Sequence, residues 1–440
     1  MQFAGEPTRL PNICDVIILG AGAAGLAAAN QLKKLGFSSI ILESRLSPGG
    51  ASSSFNYRSA GLTFDRGIHG LYTKDVEVQN VLVDSCESSV MTVPVRIRDY
   101  WYGQWGDHPA QCHLSGYPDT LAMQIASELI NVNENAETSP KNYLEWCYRY
   151  LGKTFSEHFQ LPYSRKFWGV EAMELTCDWM EHRVVVPSVL ELEAAMRGEK
   201  VAHQHYVQEV LYPQIGGFGA FLRGLAAGTQ ILYGVRIESI DTRNHLISTN
   251  LGHIRYRNAI STIPLPTLIP LITAVPPNIQ LAACKLRATT ATFINLAINR
   301  PHVLPEHWVY VYDADIPFSR VSSPTEWSSH NGPKDTSSLQ LEIYSSQFQS
   351  NSSVQVKECV RALRRMMILQ ADDKVTFAKI EIQQFANVIY DHFRRDAVSA
   401  VHEFLHDQGI NFAGRYSTWD YSLLDQNVRQ AWTCVDNIIG

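Results

Sequence analysis

The chain has 440 residues, 45% of them apolar, and a formal net charge of −6 with no basic run. That length exceeds one compact core and predicts two domains. The charge argues against nucleic acid as the main partner, and no uninterrupted apolar stretch reaches the ~20 residues that span a bilayer. Met1 to Asn12 has no basic segment followed by an apolar core, so no signal peptide is expected. Eight scattered cysteines (Cys14, Cys86, Cys112, Cys147, Cys177, Cys284, Cys359 and Cys434) with no C-x-x-C predict free thiols in a reducing compartment, the cytoplasm.

In chain order, the apolar run Val16 to Leu19 predicts a strand ending at Gly20. Gly22 and Gly25 complete a G-x-G-x-x-G, and an Ala-rich helical pattern follows to about Leu35. A second apolar run ends at Glu43. Strand, glycine turn, helix, strand and acid in this order form the layout of a dinucleotide-binding βαβ unit. Gly20 permits the tight turn, Gly22 lets the backbone approach a pyrophosphate, and Gly25 lets the helix lie close on the strand. Ala23 and Ala24 open that helix, where free N–H groups and the dipole favour an anion. Glu43, with Ser44 beside it, stands where a ribose-binding carboxylate is expected. The pair Gly49 and Gly50 follows within a few residues. A plain NAD-dependent dehydrogenase has no need of it, whereas two-domain flavoproteins use such a turn to pass the chain under the cofactor.

From Asp15 to Thr73 the sequence resembles the N-terminus of the FAD-binding clan that includes amine oxidases, protoporphyrinogen oxidases and UDP-galactopyranose mutases. The resemblance implies an α/β fold. Its Rossmann-like FAD-binding domain, of the two-dinucleotide-binding-domain flavoprotein type, would comprise residues 12–95, 215–265 and 385–440. A discontinuous α+β substrate domain would comprise 96–214 and 266–384. FAD is the implied cofactor, with NAD(P)H a candidate external reductant.

Along the rest of the chain, Thr120 to about Ala202 reads as mostly helical. His203 and His205 have no acid or cysteine at ligand spacing and read as a surface loop, so no metal is expected. Gly216-Gly-Phe-Gly suits a hinge, and a helix is expected from Ala220 to Ala227. Strands follow at Gln230–Tyr233, Val235–Thr242, His245–Thr249 and Arg255–Ser261. The resemblance implies that Val235 meets the adenine through its backbone. Further strand-like runs are Thr292–Asn299, Val309–Tyr312 and Leu339–Tyr344. The polar stretch Ser328–Ser338 reads as a surface loop. Asn351-Ser-Ser fits a glycosylation acceptor that has no meaning without secretion.

Four ordered matches to UDP-galactopyranose mutases supply candidate site residues. His69 falls in a G-x-H place that touches the flavin there, with Thr73 in register. Tyr163, Lys166 and Trp168 fall in a Y-x-x-K-x-W core, which implies base stacking and a lysine drawing in phosphate. Arg320, in Asp315-Ile-Pro-Phe-Ser-Arg, is the counterpart of an arginine offered to the substrate diphosphate; read alone, it suits a surface salt bridge. The segment Gly414-Arg-Tyr-Ser-Thr-Trp-Asp-Tyr places Arg415 on the flavin side and Tyr421 on the substrate side, with Asp425 near the start of a C-terminal helix. Three positions depart from the pattern: Trp419 replaces a tyrosine, Asp420 an arginine and Leu423 an acid. Asp420 reverses a charge beside the implied diphosphate.

Three functions follow. In the first, a flavoenzyme acts on a nucleotide-linked sugar with reduced flavin as nucleophile; His69, Arg320, Arg415 and Tyr421 then stand at the reaction. In the second, an FAD-dependent oxidoreductase of amine oxidase or protoporphyrinogen oxidase type uses the aromatics around Tyr100, Trp101, Tyr102 and Trp105 as a wall; these residues equally suit a core. The third is a non-catalytic binding protein like the GDP-dissociation inhibitors, which lack the intact glycine motif present here.

Overall fold

The computed structural model describes residues 10–131, 139–180, 183–197, 199, 207–346 and 352–440. His203, His205 and Asn351 lie outside the described residues. At the centre of a seven-stranded sheet lies Ile13–Leu19, pairing in parallel with Ser39–Glu43 on one side and Gly252–Ser261 on the other. Its β-branched run is buried along nearly its whole length, as a parallel strand covered on both faces requires. Gln230–Tyr233 extends the sheet beyond Ser39–Glu43. Ile410–Phe412 and the antiparallel pair Ile237–Asp241 and Leu246–Thr249 complete the other side. Three distant stretches of chain therefore build one sheet.

The helix Ala23–Lys34 covers one face of this sheet. Its run of alanines lets it lie low; Ala27 and Ala28 are fully buried. The C-terminal helix Leu424–Ile439 packs against it, with Val428, Ala431 and Val435 in the shared core.

A second seven-stranded sheet runs in the order Val375–Gln383, Thr290–Ile298, Ser337–Ser345, Arg320–Ser322, Trp308–Val311, Ile97–Trp101, Gln104–Asp107. Its neighbours are antiparallel except Trp308–Val311 beside Ile97–Trp101. The stretch expected to be helical forms Asp119–Ile130, Tyr143–Leu151, Leu161–Trp168 and Val189–Met196. Tyr100 is buried in the core of the second sheet, and Trp101 stacks on Phe159 at 5.3 Å.

The stretch Ser328–Ser338 is a loop exposed at Ser329, His330, Pro333, Lys334 and Asp335, anchored at buried Ser328 and Asn331 and ending where the strand Ser337–Ser345 begins. Asn331 donates through Nδ2 to Tyr212 Oη and to the Pro324 carbonyl, so its polarity serves internal partners rather than water. The segment Gly216–Gly219 is tied to the small hairpin of Ser54–Tyr57 and Leu62–Asp65. Phe218 N–H donates to Asp65 Oδ1 at 2.8 Å and Gly219 N–H to Ser54 Oγ at 2.9 Å. A Cβ on Gly217, which has φ +71°, would stand 2.6 Å from both acceptors. All eight cysteines are free thiols. Among the described residues no helix is long and apolar enough to cross a membrane.

Candidate active site

A cavity of about 470 Å³ lies between the two sheets. The glycine turn opens onto it. Gly20 takes φ +98°, and its N–H donates to the Leu42 carbonyl, tying the turn to the second strand. Gly25 has no room: a Cβ there would stand 2.0 Å from the Gly20 carbonyl oxygen. Gly22 is the opposite case, with nothing within 4 Å of an added Cβ. The two glycines are needed for different reasons, one for packing and one for access. Gly22, Ala23 and Ala24 present the helix N-terminus to the cavity. Gly49 pairs with Gly22 as an isolated bridge, and a Cβ on Gly50 would stand 3.1 Å from Gly22 Cα. Glu43 lines the cavity with its carboxylate oriented by Ala21 N–H and Arg45 N–H, each at 2.8 Å. Ser44 is exposed and is not among the lining residues; Val235 is buried, and its N–H donates to the Glu43 carbonyl.

His69, Arg320, Arg415, Tyr421 and Asp425 line the same cavity. His69 Nδ1 is 3.1 Å from the Gly67 carbonyl, which only accepts, so Nδ1 carries the hydrogen and Nε2 remains an acceptor. The ring stacks on Phe218 at 4.9 Å. Burial pushes the imidazole pKa down and keeps it neutral. Asp425, in the first turn of the C-terminal helix, accepts from Thr73 Oγ1 at 2.6 Å through Oδ2. Its Oδ1 is buried with no donor among the described residues.

Arg320 is not a free cation. Its Nε donates to Glu342 Oε2 at 2.6 Å and its Nη2 to Tyr344 Oη at 3.1 Å. Glu342 is completely buried and also accepts from Ile68 N–H at 2.9 Å. Arg415 instead donates twice to the Ser422 carbonyl and lies 4.7 Å from the Tyr421 ring. Arg183 lies 4.1 Å from that ring and donates to the Tyr421 carbonyl. Neither Arg183 nor Arg415 has a carboxylate within ion-pair distance among the described residues.

The expected base platform is displaced from the cavity. Trp168 is buried against Trp179, with ring centroids 4.9 Å apart. Tyr163 packs against Tyr310 at 5.4 Å. Neither lines the cavity; Tyr310 and Tyr421, against which they pack, do. Lys166 holds three backbone carbonyls, those of Val311, Asp313 and Phe318, at 2.5 to 3.1 Å. Burial pushes its pKa down to about 7, yet three acceptors call for the three donors of an ammonium. Its donors are spent on the turn that leads to Arg320, which leaves none for a phosphate. Asp420 does not line the cavity; it binds Tyr390 Oη and lies 3.4 Å from Arg394 Nη2. The charge reversal is thus met by a local cation.

Sequence reasoning missed Arg45, Arg66, Arg183 and Glu342. Glu342 and Tyr344 share a strand face with Gln340 by the period of two, a signal that the apolar reading of Leu339–Tyr344 passed over. Arg183 sits in an irregular segment with no periodic signal.

A match to the family described as flavin containing amine oxidoreductase spans residues 23–439. The chain belongs to this family. It is an FAD-dependent enzyme. A probable UDP-galactopyranose mutase of Klebsiella pneumoniae is 27% identical over 165 residues, 37% of this chain and 42% of that one. An all-trans-retinol 13,14-reductase of Macaca fascicularis is 44% identical over 69 residues, 16% of this chain. The chain spans only 11% of the length of that reductase. A solved structure of reduced UDP-galactopyranose mutase superimposes with a TM-score of 0.91 at 22% identity, covering 97% of this chain and 96% of that one. A putative protoporphyrinogen oxidase from Exiguobacterium gives 0.74 at 16% identity over 98% and 99%. At these identities the structures share the fold.

The cavity of this flavoprotein fits FAD on its own geometry. Gly22 leaves open space at a helix N-terminus, where a diphosphate is favoured. Asp425 Oδ1 is an acceptor in want of a ligand hydroxyl or N–H. Five arginines line the cavity against two carboxylates, Glu43 and Asp425, which suits an anionic cofactor.

Proposed function

We propose that this flavoenzyme acts on a nucleotide-linked sugar in the manner of a UDP-galactopyranose mutase. The observation that carries the reading is the pair of guanidiniums, Arg183 and Arg415, held beside Tyr421 in the cavity with no carboxylate partner among the described residues. A diphosphate is the ligand that two unneutralised forks and neighbouring phenol hydroxyls recognise. Arg183 therefore takes the role that the sequence offered to Arg320, while Arg320 with Glu342 and Tyr344 forms a rigid, nearly neutral wall.

FAD, when bound, supplies the electron-pair and hydride chemistry. The chain's residues bind and orient. Gly20, Gly22, Gly49, Gly50, Glu43 and Asp425 position the cofactor, and His69 offers Nε2 as a neutral acceptor. Tyr310, Tyr344 and Tyr421 line the space for the sugar diphosphate. No general base is compulsory, in keeping with the absence of a triad among these residues.

A second reading has its own support. Leu71, Phe218, Trp308 and Trp327 give the same cavity an apolar side near His69, which suits oxidation of an amine or a polycyclic substrate. Calorimetry of UDP with the oxidised and the reduced holoprotein separates the two. Saturable micromolar binding, together with ring isomerisation of a nucleotide sugar under reducing conditions, is the expected result. Absence of UDP binding in both redox states, with flavin bleaching by amines, would replace it with the oxidase reading.

A further inference from the structure

The nucleotide-sugar reading, on which this inference rests, uses the polar side of the cavity and gives its apolar side no role. Leu71, Val207, Val210, Phe218, Trp308 and Trp327 line the cavity, are buried, and belong to one continuous apolar core. Trp308 stands two residues before Tyr310 on the strand Trp308–Val311, so both side chains leave the same face of the sheet. The apolar side therefore adjoins a phenol that lines the space for the sugar diphosphate. Trp327 lies parallel to Trp308, with ring centroids 5.8 Å apart and 1° between the planes. Tyr212 at 5.3 Å and His307 at 4.9 Å brace Trp327 in turn. Val210 closes on Gly70, where an added Cβ would stand 2.7 Å from Val210 Cγ2. The bay is thus held by packing on several sides. None of its six side chains carries an acceptor. A sugar hydroxyl turned against them would lose its water and gain no acceptor from them. A methyl group in the same place is favoured by burial. The exocyclic carbon of a hexose is the position where removing the hydroxyl leaves a methyl rather than a bare ring hydrogen.

We propose that this apolar bay selects a 6-deoxyhexose as the sugar of the nucleotide-linked substrate. The methyl group seats in the bay lined by Val210 and Trp308, and the ring hydroxyls stay on the side of Tyr310 and Tyr344. Val207, Val210, Trp308 and Trp327 are then specificity-determining residues, distinct from the cations that hold the diphosphate.

The test uses the holoprotein with reduced flavin and three probes that share one nucleotide: UDP, UDP-galactose and UDP-6-deoxygalactose, each followed by calorimetry. Binding of the deoxy sugar tighter than UDP-galactose by roughly 10- to 100-fold is the expected result, the range in which an apolar pocket rejects an added hydroxyl. Val210→Thr keeps the shape of the side chain and offers the bay a hydroxyl. It should cut the preference by at least about threefold, chiefly by tightening UDP-galactose, with UDP unchanged. The preference is a ratio within one preparation, so a partly unfolded variant still reports it. UDP binding with the two sugars equal, or with galactose preferred, would overturn the deoxysugar inference and leave the nucleotide-sugar reading standing. A preference that Val210→Thr leaves intact would overturn the role of the bay. A wild-type protein that does not bind UDP would remove the nucleotide-sugar reading and this inference with it.

Discussion

Arg320 shows how a single residue changes meaning between sequence and structure. In the sequence it stands in the place of a diphosphate-binding arginine. In the fold it is bonded to Glu342, whose side chain is completely buried. Removing one partner of a buried ion pair leaves an uncompensated charge, which costs roughly 3–5 kcal/mol. Arg320→Met is therefore expected to lower the unfolding free energy obtained from urea melts by that order. The double variant Arg320→Met/Glu342→Gln should recover most of the loss, because both charges then leave together. Arg183→Ala, by contrast, should weaken UDP and leave the midpoint nearly unchanged. A stable Arg320→Met with lost UDP affinity would return the clamp to Arg320. Nothing in the local sequence announced Glu342 as its partner, since the two meet only when Arg320–Ser322 and Ser337–Ser345 pair.

At the scale of elements, the parallel pair Ile97–Trp101 and Trp308–Val311 ties two distant stretches into one sheet. His307 stands at its entrance. It is fully buried, and its Nδ1 accepts from Arg96 N–H at 2.9 Å, so the fold needs the neutral ring. Burial pushes its pKa down to about 4. Between the ordinary value of about 6.5 and that folded value, the unfolded chain binds the proton and the folded chain does not. Stability is thus lost as pH falls through about 6.5, levelling below about 4 after up to ~3 kcal/mol. Other groups titrate in this window, so the readout is the difference between wild type and His307→Asn, whose amide oxygen can still accept from Arg96. Urea midpoints at neutral and mildly acid pH should converge for the two proteins as the pH falls. Parallel behaviour across the window would remove His307 as the titrating group. The strands themselves were legible: the runs read at Thr292–Asn299, Val309–Tyr312 and Leu339–Tyr344 lie within one or two residues of Thr290–Ile298, Trp308–Val311 and Ser337–Ser345. Their pairing was not, because period-two alternation names a strand and a face but no neighbour.

For the whole molecule, the cavity is lined by residues of both sheets and of the C-terminal helix, so a bound cofactor is expected to stabilise the fold. A ligand that binds only the native state, at about a thousand times its Kd, adds about 4 kcal/mol. Deflavinated protein should show an unfolding free energy lower by that order in urea melts and regain it on adding FAD. Equal midpoints would mean that the cavity residues do not engage the cofactor in the folded state. The sequence by itself determined the βαβ turn, the glycines that build it, the family and the positions of many strands along the chain, because these rest on local backbone conformation and short-range periodicity. Only the tertiary structure decided which charges are free. It neutralised Arg320 with Glu342, met Asp420 with Arg394, spent Lys166 on three carbonyls and brought Arg45, Arg66 and Arg183 to the cavity. Charge acts through space, and its partners come from chain positions up to hundreds of residues apart, where neither spacing nor composition carries a signal.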